Sequence, residues 1–249
     1  MDRNSTAFNI NGVGRIGADR NCRNTARPAP AGPARQPRKL AWSRLVRSDG
    51  QALYQEGQAV DKVFVIISGI VKLVAHLPNG RARILGLHGP GAVLGMLTQA
   101  SDAPRGGDTL RYGHSAIAVE DLDAIWLSSE QMRILRAQGA REYVDLLERH
   151  CEELRQAERW TAEFSADTTP CRIARLIKYL AELQQLPNPN EVELLTCQEM
   201  GEVIGVSTES ASRVLAKFKR SGVLRRSEAR PGKRHYQFNP ETIDAIAFT

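Results

Sequence analysis

The stretch "GVSTESASRVLAKFKRSGVL", Gly205–Leu224, decides how the rest of the chain is read. Ala211, Val214, Leu215 and Phe218 recur at helical spacing and form one apolar face. Thr208, Glu209, Ser212 and Arg213 share the opposite face by the i, i+3/i+4 rule. Ser207 stands where a helix N-cap belongs, and Gly222 where a C′ glycine ends the helix. Upstream, "LTCQEMGEVIG" opens on a Thr196/Glu199 capping-box pair and closes on Gly205. Two short helices around a glycine turn make a helix-turn-helix pattern. Downstream, "VLRRSEARPGKRHYQF" reads as a hairpin with a basic tip, a wing.

The charge supports a polyanionic partner. The chain has 249 residues, a net charge of +6 and a pI of about 9.3. The basic excess is concentrated: from Arg213 to Arg234 there are nine Lys/Arg and a single acid, Glu228. A glutamate at the start of such a helix therefore asks for a reason. One reading is a base reader, since a carboxylate accepts from a cytosine N4 amino group while Arg213 reaches guanine O6 and N7. The plainer reading is an N-terminal acid that favours the helix dipole. The two are compatible. Ser212 is short enough for a thymine or adenine edge, and Thr208 completes the face. Ser207, Lys217, Lys219, Arg220, Arg225, Arg226, Lys233 and Arg234 are candidates for phosphate contact, which positions without specifying. For any one of them a solvated basic surface is the alternative.

Other segments give the organisation. Residues 1–38, with "NTARPAPAGPARQPRK", read as a tail by composition. Residues 39–137 alternate short Val/Ile-rich runs with "PNG" and "GPG" turns, as in an antiparallel roll or sandwich. "LPNG" reads as a hairpin turn, "HSAIAVEDLDAIWL" as a further pair of runs, and Ser128 with Gln131 as a capping box. Residues 138–166 read as one long helix with a heptad seam: Val144, Leu147, Cys151, Leu154, Glu158 and Thr161 are spaced 3-4-3-4-3. The many charges on its outer positions favour a dimer contact over burial within one chain. Residues 167–249 hold the winged helix-turn-helix, starting with a helix capped by Thr169 before Pro170. "QLPNPNEVE" reads as a loop.

Together these features resemble regulators of the cyclic-AMP-receptor/FNR superfamily. "LYQEGQAVDKVFVIISGIVKLVAHLPNGRARILGLHGPGAVLG" is similar to the family's cyclic-nucleotide-binding β-roll, the seam helix to its dimerisation helix, and "RIARLIKYLAEL" to the first helix of its DNA-binding domain. The resemblance covers roughly residues 40–249. It implies an α+β fold: a sensor β-roll, a long dimerisation helix and a C-terminal winged helix-turn-helix. It also implies a homodimer on double-stranded DNA, half-sites about one turn apart, and RNA polymerase as a further partner through the "QLPNPNEVE" loop. The spacing E-x-x-S-R at Glu209, Ser212 and Arg213 resembles the FNR and FixK branches, which read TTGA-type half-sites. Thr208 replaces the arginine of the cyclic AMP receptor branch.

The sensor departs from the family's cyclic AMP pocket. In "GAVLGML" the residue after Gly95 is Met96, where the ribose-binding glutamate stands in the family. In "GHSA" His114 replaces the phosphate-binding arginine and only Ser115 remains; Ala157 and Glu158 replace the adenine-contacting hydroxyls. A buried phosphate without a cation is costly, so tight cyclic AMP binding is not expected. Of the four cysteines only Cys22 is near the N-terminus, which excludes an FNR-type iron–sulfur cluster. No cofactor is expected, although haem stays open, with His76, His88, His114 or His150 as axial ligand, and a haem- or thiol-based sensor with the same DNA output is the alternative function. Cys151 and Cys171 read as buried thiols; Cys197, at a helix start, is the one whose setting favours thiolate. Without Walker loop, nucleophile elbow or metal-ligand cluster, no enzyme is expected. Without a long apolar run or signal peptide, a cytoplasmic protein without membrane contact is expected.

Overall fold

The computed structural model describes residues 41–96, 110–228 and 234–248. Two four-stranded antiparallel sheets make the sensor half. One has the order β1-β8-β3-β6, from Ser43–Arg47, Leu122–Ser128, Lys62–Ser68 and Val93–Leu94. The other has the order β2-β7-β4-β5, from Ala52–Tyr54, Ser115–Ala118, Val71–His76 and Ala82–His88. The "LPNG" turn joins β4 to β5: Leu77 N–H donates to Arg81 O at 2.9 Å, and Gly80 takes φ +77°, which a side chain would disfavour. The runs in "HSAIAVEDLDAIWL" become β7 and β8, which enter different sheets. Alternating inward residues of both sheets, among them Phe64, Ile66, Val71 and Ala116, close over a common core.

Helix α1, Ser129–Ala137, begins at the predicted Ser128/Gln131 capping box. Helix α2, Arg141–Ser165, is the predicted long helix, with Leu146, Trp160 and Phe164 buried. Helix α3, Thr169–Gln184, starts at the predicted cap itself, one residue earlier than expected. Thr168 is the N-cap because its backbone is extended (φ −72°, ψ 156°), while Thr169 is already helical and Pro170 lies in the first turn. The loop reading of "QLPNPNEVE" is also corrected. Its end, Glu191–Glu193, is strand β9, which pairs with the wing strand β11, His235–Phe238; β10, Leu224–Arg226, completes that sheet in the order β10-β11-β9. Three residues ending in a loop carry too little period for sequence reading. The closing helix α6, Pro240–Ala247, was likewise not anticipated. Asn239 caps it, and Ile243 and Ala247 are buried.

One apolar cluster runs through both halves. Ile70, Val74, Ile84 and Leu87 of the roll share it with Ile173, Ile177 and Leu180 of α3 and with Met200 of the next helix, α4 (Cys197–Ile204). Beside this cluster Lys72 Nζ of β4 donates to Glu199 Oε1 of α4 at 2.6 Å, and each side chain keeps 17% of its surface exposed. Glu199 Oε2 accepts from Thr196 N (2.9 Å) and Thr196 Oγ1 (2.7 Å), so the capping-box glutamate is also the bridge between the two halves. Burial alone would raise the Glu199 carboxyl. The bonds from Lys72 and Thr196 outweigh it and hold the value below 4.5.

A lowered carboxylate value stabilises the fold fully above the ordinary 4.5, and that stabilisation is lost as pH falls through the folded-state value. Lys72→Met should therefore cost about 2 kcal/mol at neutral pH, because a largely buried carboxylate loses its cation. The cost should shrink as pH falls and Glu199 is protonated, so the acid limb of the stability profile flattens. Urea melts from pH 3 to 7 measure both, and Lys72→Met/Glu199→Gln, which removes the charge and keeps a capping side chain, should recover most of the loss.

Candidate DNA interface and sensor cavity

The second helix of the pair, α5, spans Thr208–Arg220. Ser207 caps it, its Oγ accepting from Ser210 N at 3.2 Å. Ala211, Leu215 and Phe218 are buried and Val214 is half-buried, whereas Thr208, Glu209, Ser212 and Arg213 are exposed. The apolar and polar faces thus fall as the sequence spacing requires. The Glu209 carboxyl lies below its ordinary range: its own backbone N–H and the Ser207 hydroxyl bond to it, and the Arg213 charge adds to this. The helix start therefore presents a full carboxylate, an acceptor only, beside a guanidinium, a donor only. Ser207, a candidate phosphate contact, is engaged as the cap, which leaves its backbone and the helix N-terminus to face an anion.

Local packing fixes how α5 leaves α4. Gly205 takes φ +71° in the turn. Gly201, inside α4, has no room for a side chain: a Cβ there would stand 2.7 Å from the Val206 carbonyl oxygen. Arg172 Nη1 of α3 donates to Ile204 O at 2.6 Å, holding the last carbonyl of α4. Neither Gly201 nor Arg172 was singled out from sequence. A glycine inside a helix pattern was the signal available for the first.

The basic residues are spread around α5 and the wing. Lys217, Lys219 and Arg220 are exposed on its last turns, where they also suit the helix dipole. Lys219 Nζ lies 4.6 Å from the centre of the Tyr236 ring, tying the helix to the wing. Burial would raise the Tyr236 phenol, but bonds and charge from Lys219 and Arg226 outweigh it and the value falls. That is the mark of a positive local field. Arg225 and Arg226 are exposed on β10. Arg234 is exposed, but its Nε donates to Leu194 O at 2.9 Å, which fixes its stem to the sheet. Lys233 lies outside the described residues, as do most of the predicted wing tip, residues 1–38 and Cys22.

On α2 the seam residues point away from the chain's own core. Val144 and Leu154 are 47% and 46% exposed, large values for side chains of this kind, and Cys151, Glu158 and Thr161 are exposed as well. Leu147 differs: it is half-buried against the roll. Within the single chain Cys151 is exposed, because the seam face that carries it has no cover there. Cys171 is buried and Cys197 half-buried.

The residues of the degenerate effector pocket come together only in part. Gly95 takes φ +82° and a Cβ there would meet Lys62 O at 2.6 Å, so it serves a close strand approach. Gly95, Met96 and His114 line a cavity of about 380 Å3, as does Ala157; Ser115 and Glu158 are not among its walls. Ser115 is buried and its Oγ accepts from Glu56 N at 3.0 Å. His114 Nε2 lies 3.0 Å from the Tyr54 hydroxyl. The other histidines differ in setting: His88 meets the Glu153 carboxylate, His76 pairs with Glu56 at the surface, and His150 lines the cavity.

Residues 46–138 match the model of the cyclic nucleotide-binding domain, and residues 174–232 that of the Crp-like helix-turn-helix domain. The chain is 26% identical over 179 residues to a CRP-like cAMP-activated global transcriptional regulator of Mycobacterium tuberculosis, covering 71% of this chain and 77% of that one. It is 24% identical over 201 residues to the transcriptional activator protein Anr of Pseudomonas protegens, covering 80% and 78%. Its fold is similar to that of FixK2 from Bradyrhizobium japonicum, with a TM-score of 0.67 at 20% identity over 84% of this chain and 99% of that one.

The packing at Gly201 predicts that Gly201→Ala forces the Val206 carbonyl aside. A cost of about 2 kcal/mol is expected, as for other overpacked sites, with a lower melting temperature. DNA affinity should fall further than stability predicts, because the α4–α5 angle changes. Calorimetric melting and a DNA titration at a temperature where the variant is fully folded separate the two effects.

Proposed function

The chain belongs to the CRP/FNR superfamily of transcription regulators, and from that premise we propose that it acts as a homodimer reading a TTGA-type pseudo-palindrome without cyclic AMP. The observation that carries the reading is the exposed start of α5, where Glu209 and Arg213 stand side by side while Ala211, Leu215 and Phe218 anchor the helix. A donor-only and an acceptor-only group at adjacent positions discriminate base edges in the major groove. Ser212 and Thr208 complete the reading face. Lys217, Lys219, Arg220, Arg225, Arg226 and Arg234 supply the field that holds the backbone, so binding weakens steeply with salt.

The uncovered seam of α2 supports the dimer. Val144, Cys151 and Leu154 follow a heptad and have no cover of their own. The input differs from that of the cAMP-activated relative, because Met96 and His114 offer neither the carboxylate nor the fixed guanidinium that the cyclic nucleotide requires. The chain is read as a cytoplasmic regulator that performs no catalysis and carries neither an iron–sulfur cluster nor another cofactor. Among the described residues no helix is long and apolar enough to cross a membrane.

Selection of bound sites from random DNA by the purified protein should return TTGA-type half-sites about one helical turn apart. Arg213→Ala should lose about 1–3 kcal/mol of specific binding and relax one base pair; equal weakening on all sequences would reassign Arg213 to the backbone. Glu209→Ala should relax selectivity more than affinity, and an unchanged sequence preference would remove it from the readers. Val144→Asp/Leu154→Asp should shift the protein to monomers in sedimentation equilibrium and abolish tight binding to the two-half-site DNA.

A further inference from the structure

Strand β5 of the roll runs beside the helix-turn-helix, and its Arg83 ends at the turn between α4 and α5. The neighbours of Arg83, Ala82 and Ile84, pack into the apolar cluster that holds Ile204, the last residue of α4. The guanidinium lies against the next residue, Gly205: a Cβ there would stand 2.5 Å from Arg83 Nη1 and 3.4 Å from Nη2. Gly205 thus lacks a side chain for two reasons, its φ of +71° and this cation.

A guanidinium carries five N–H donors in a planar fork. Among the described residues none of those of Arg83 meets an acceptor or a carboxylate, and none is sealed from water. The charges around it on α4 are already engaged. Glu199 holds Lys72, and Glu202 Oε1 accepts from Gln198 Nε2 at 2.9 Å. Arg83 is half-buried, so packing restricts where the fork can point. It points to a turn that is open to solvent: Gly205, Ser207 and Thr208 are all exposed.

In helix-turn-helix docking the first helix crosses the phosphate backbone, and the second enters the major groove with its N-terminal residues at the base edges. The α4–α5 turn then stands over the backbone that borders the groove. Gly205 is three residues ahead of Thr208, hence within about 11 Å of the reading face, and the groove is about 12 Å wide. We propose that Arg83, a residue of the sensor half, contacts a DNA phosphate beside the recognition helix, once in each protomer. A guanidinium suits that role, because its fork donates two charge-assisted bonds to one phosphate. The roll then adds to DNA affinity for as long as β5 stays docked on α4, and DNA favours the docked state to the same extent. The inference rests on the DNA reading above for the placement of α5 and not for the bases it selects.

The test titrates the full-length protein, by fluorescence anisotropy over a range of potassium chloride concentrations, onto a TTGA-type duplex and an unrelated duplex of equal length. Arg83→Gln should weaken binding to both severalfold, by the same factor. It should also make the slope of log affinity against log salt shallower by about 0.9 per phosphate, hence about 1.8 for the dimer. Arg83→Lys, which keeps the charge, should retain the slope. Arg44→Gln removes an exposed charge from β1 in the other sheet and should retain it as well. Thermal melting by circular dichroism establishes that each variant is folded. The proposal is overturned if Arg83→Gln leaves the slope unchanged, if Arg44→Gln lowers it equally, or if the loss is confined to the TTGA-type duplex, as it would be for a residue that only orients the reading helix. A wild-type protein that binds both duplexes equally would remove the proposed base preference, while the slopes would still decide the role of Arg83.

Discussion

The bond between Lys72 and Glu199 is the constraint on which the arrangement of the two halves turns. It joins strand β4 of the roll to helix α4 of the helix-turn-helix, at the edge of an apolar cluster that belongs to both. A buried ion pair contributes little net stability compared with apolar contact, but it tolerates few geometries. The cluster supplies attraction without direction, while Lys72 and Glu199 allow one register of α4 against β4. Because Glu199 also closes the capping box on Thr196, the start of α4 and its docking are set by one carboxylate. Any motion of the helix-turn-helix away from the roll must break this bond and expose Ile84 or Leu87 to water. The docked arrangement is thus a discrete state rather than one point on a continuum.

The reading helix is built so that its two ends do different work. Its first turn carries groups of opposite hydrogen-bonding character, and its last turns carry cations that act at longer range. The buried face has small Ala211 near the start and large Phe218 near the end. Gly201 and Arg172 then set the angle between the helices of the motif. Discrimination needs such rigidity, because a bidentate contact loses its meaning when the donor fork can tilt. The long helix α2 has a comparable division: Leu146, Trp160 and Phe164 serve the chain itself, and the seam through Val144 and Leu154 is left for another surface.

Much of this was legible in the chain because the signals are local. The Ser128/Gln131 and Thr196/Glu199 capping boxes, the αL glycine of the helix turn, the "LPNG" hairpin and the two faces of α5 all depend on residues a few positions apart. The errors have equally definite origins. Thr168 and Thr169 are adjacent threonines before a proline, and only backbone dihedrals tell which one caps. Strand β9 exists because β11 lies beside it, and its three residues have no periodicity to display.

The sequence by itself determined most of the element types, the two capping boxes, the residues that face outward on α5 and the departure of Met96 and His114 from a nucleotide site. These follow from short-range sterics and from the 3.6 and 2.0 residue periods, which act wherever the chain goes. Tertiary structure alone decided that Glu199 meets Lys72, that Gly201 must lack a side chain, and that Ser115 turns to the Glu56 backbone. It also decided that Arg83 lies against Gly205. Such contacts join residues up to 127 positions apart, and nothing in the local pattern of either partner encodes the other. They exist because burying the apolar cluster common to roll and α3 brings the surrounding polar groups within reach, where each must then find a partner.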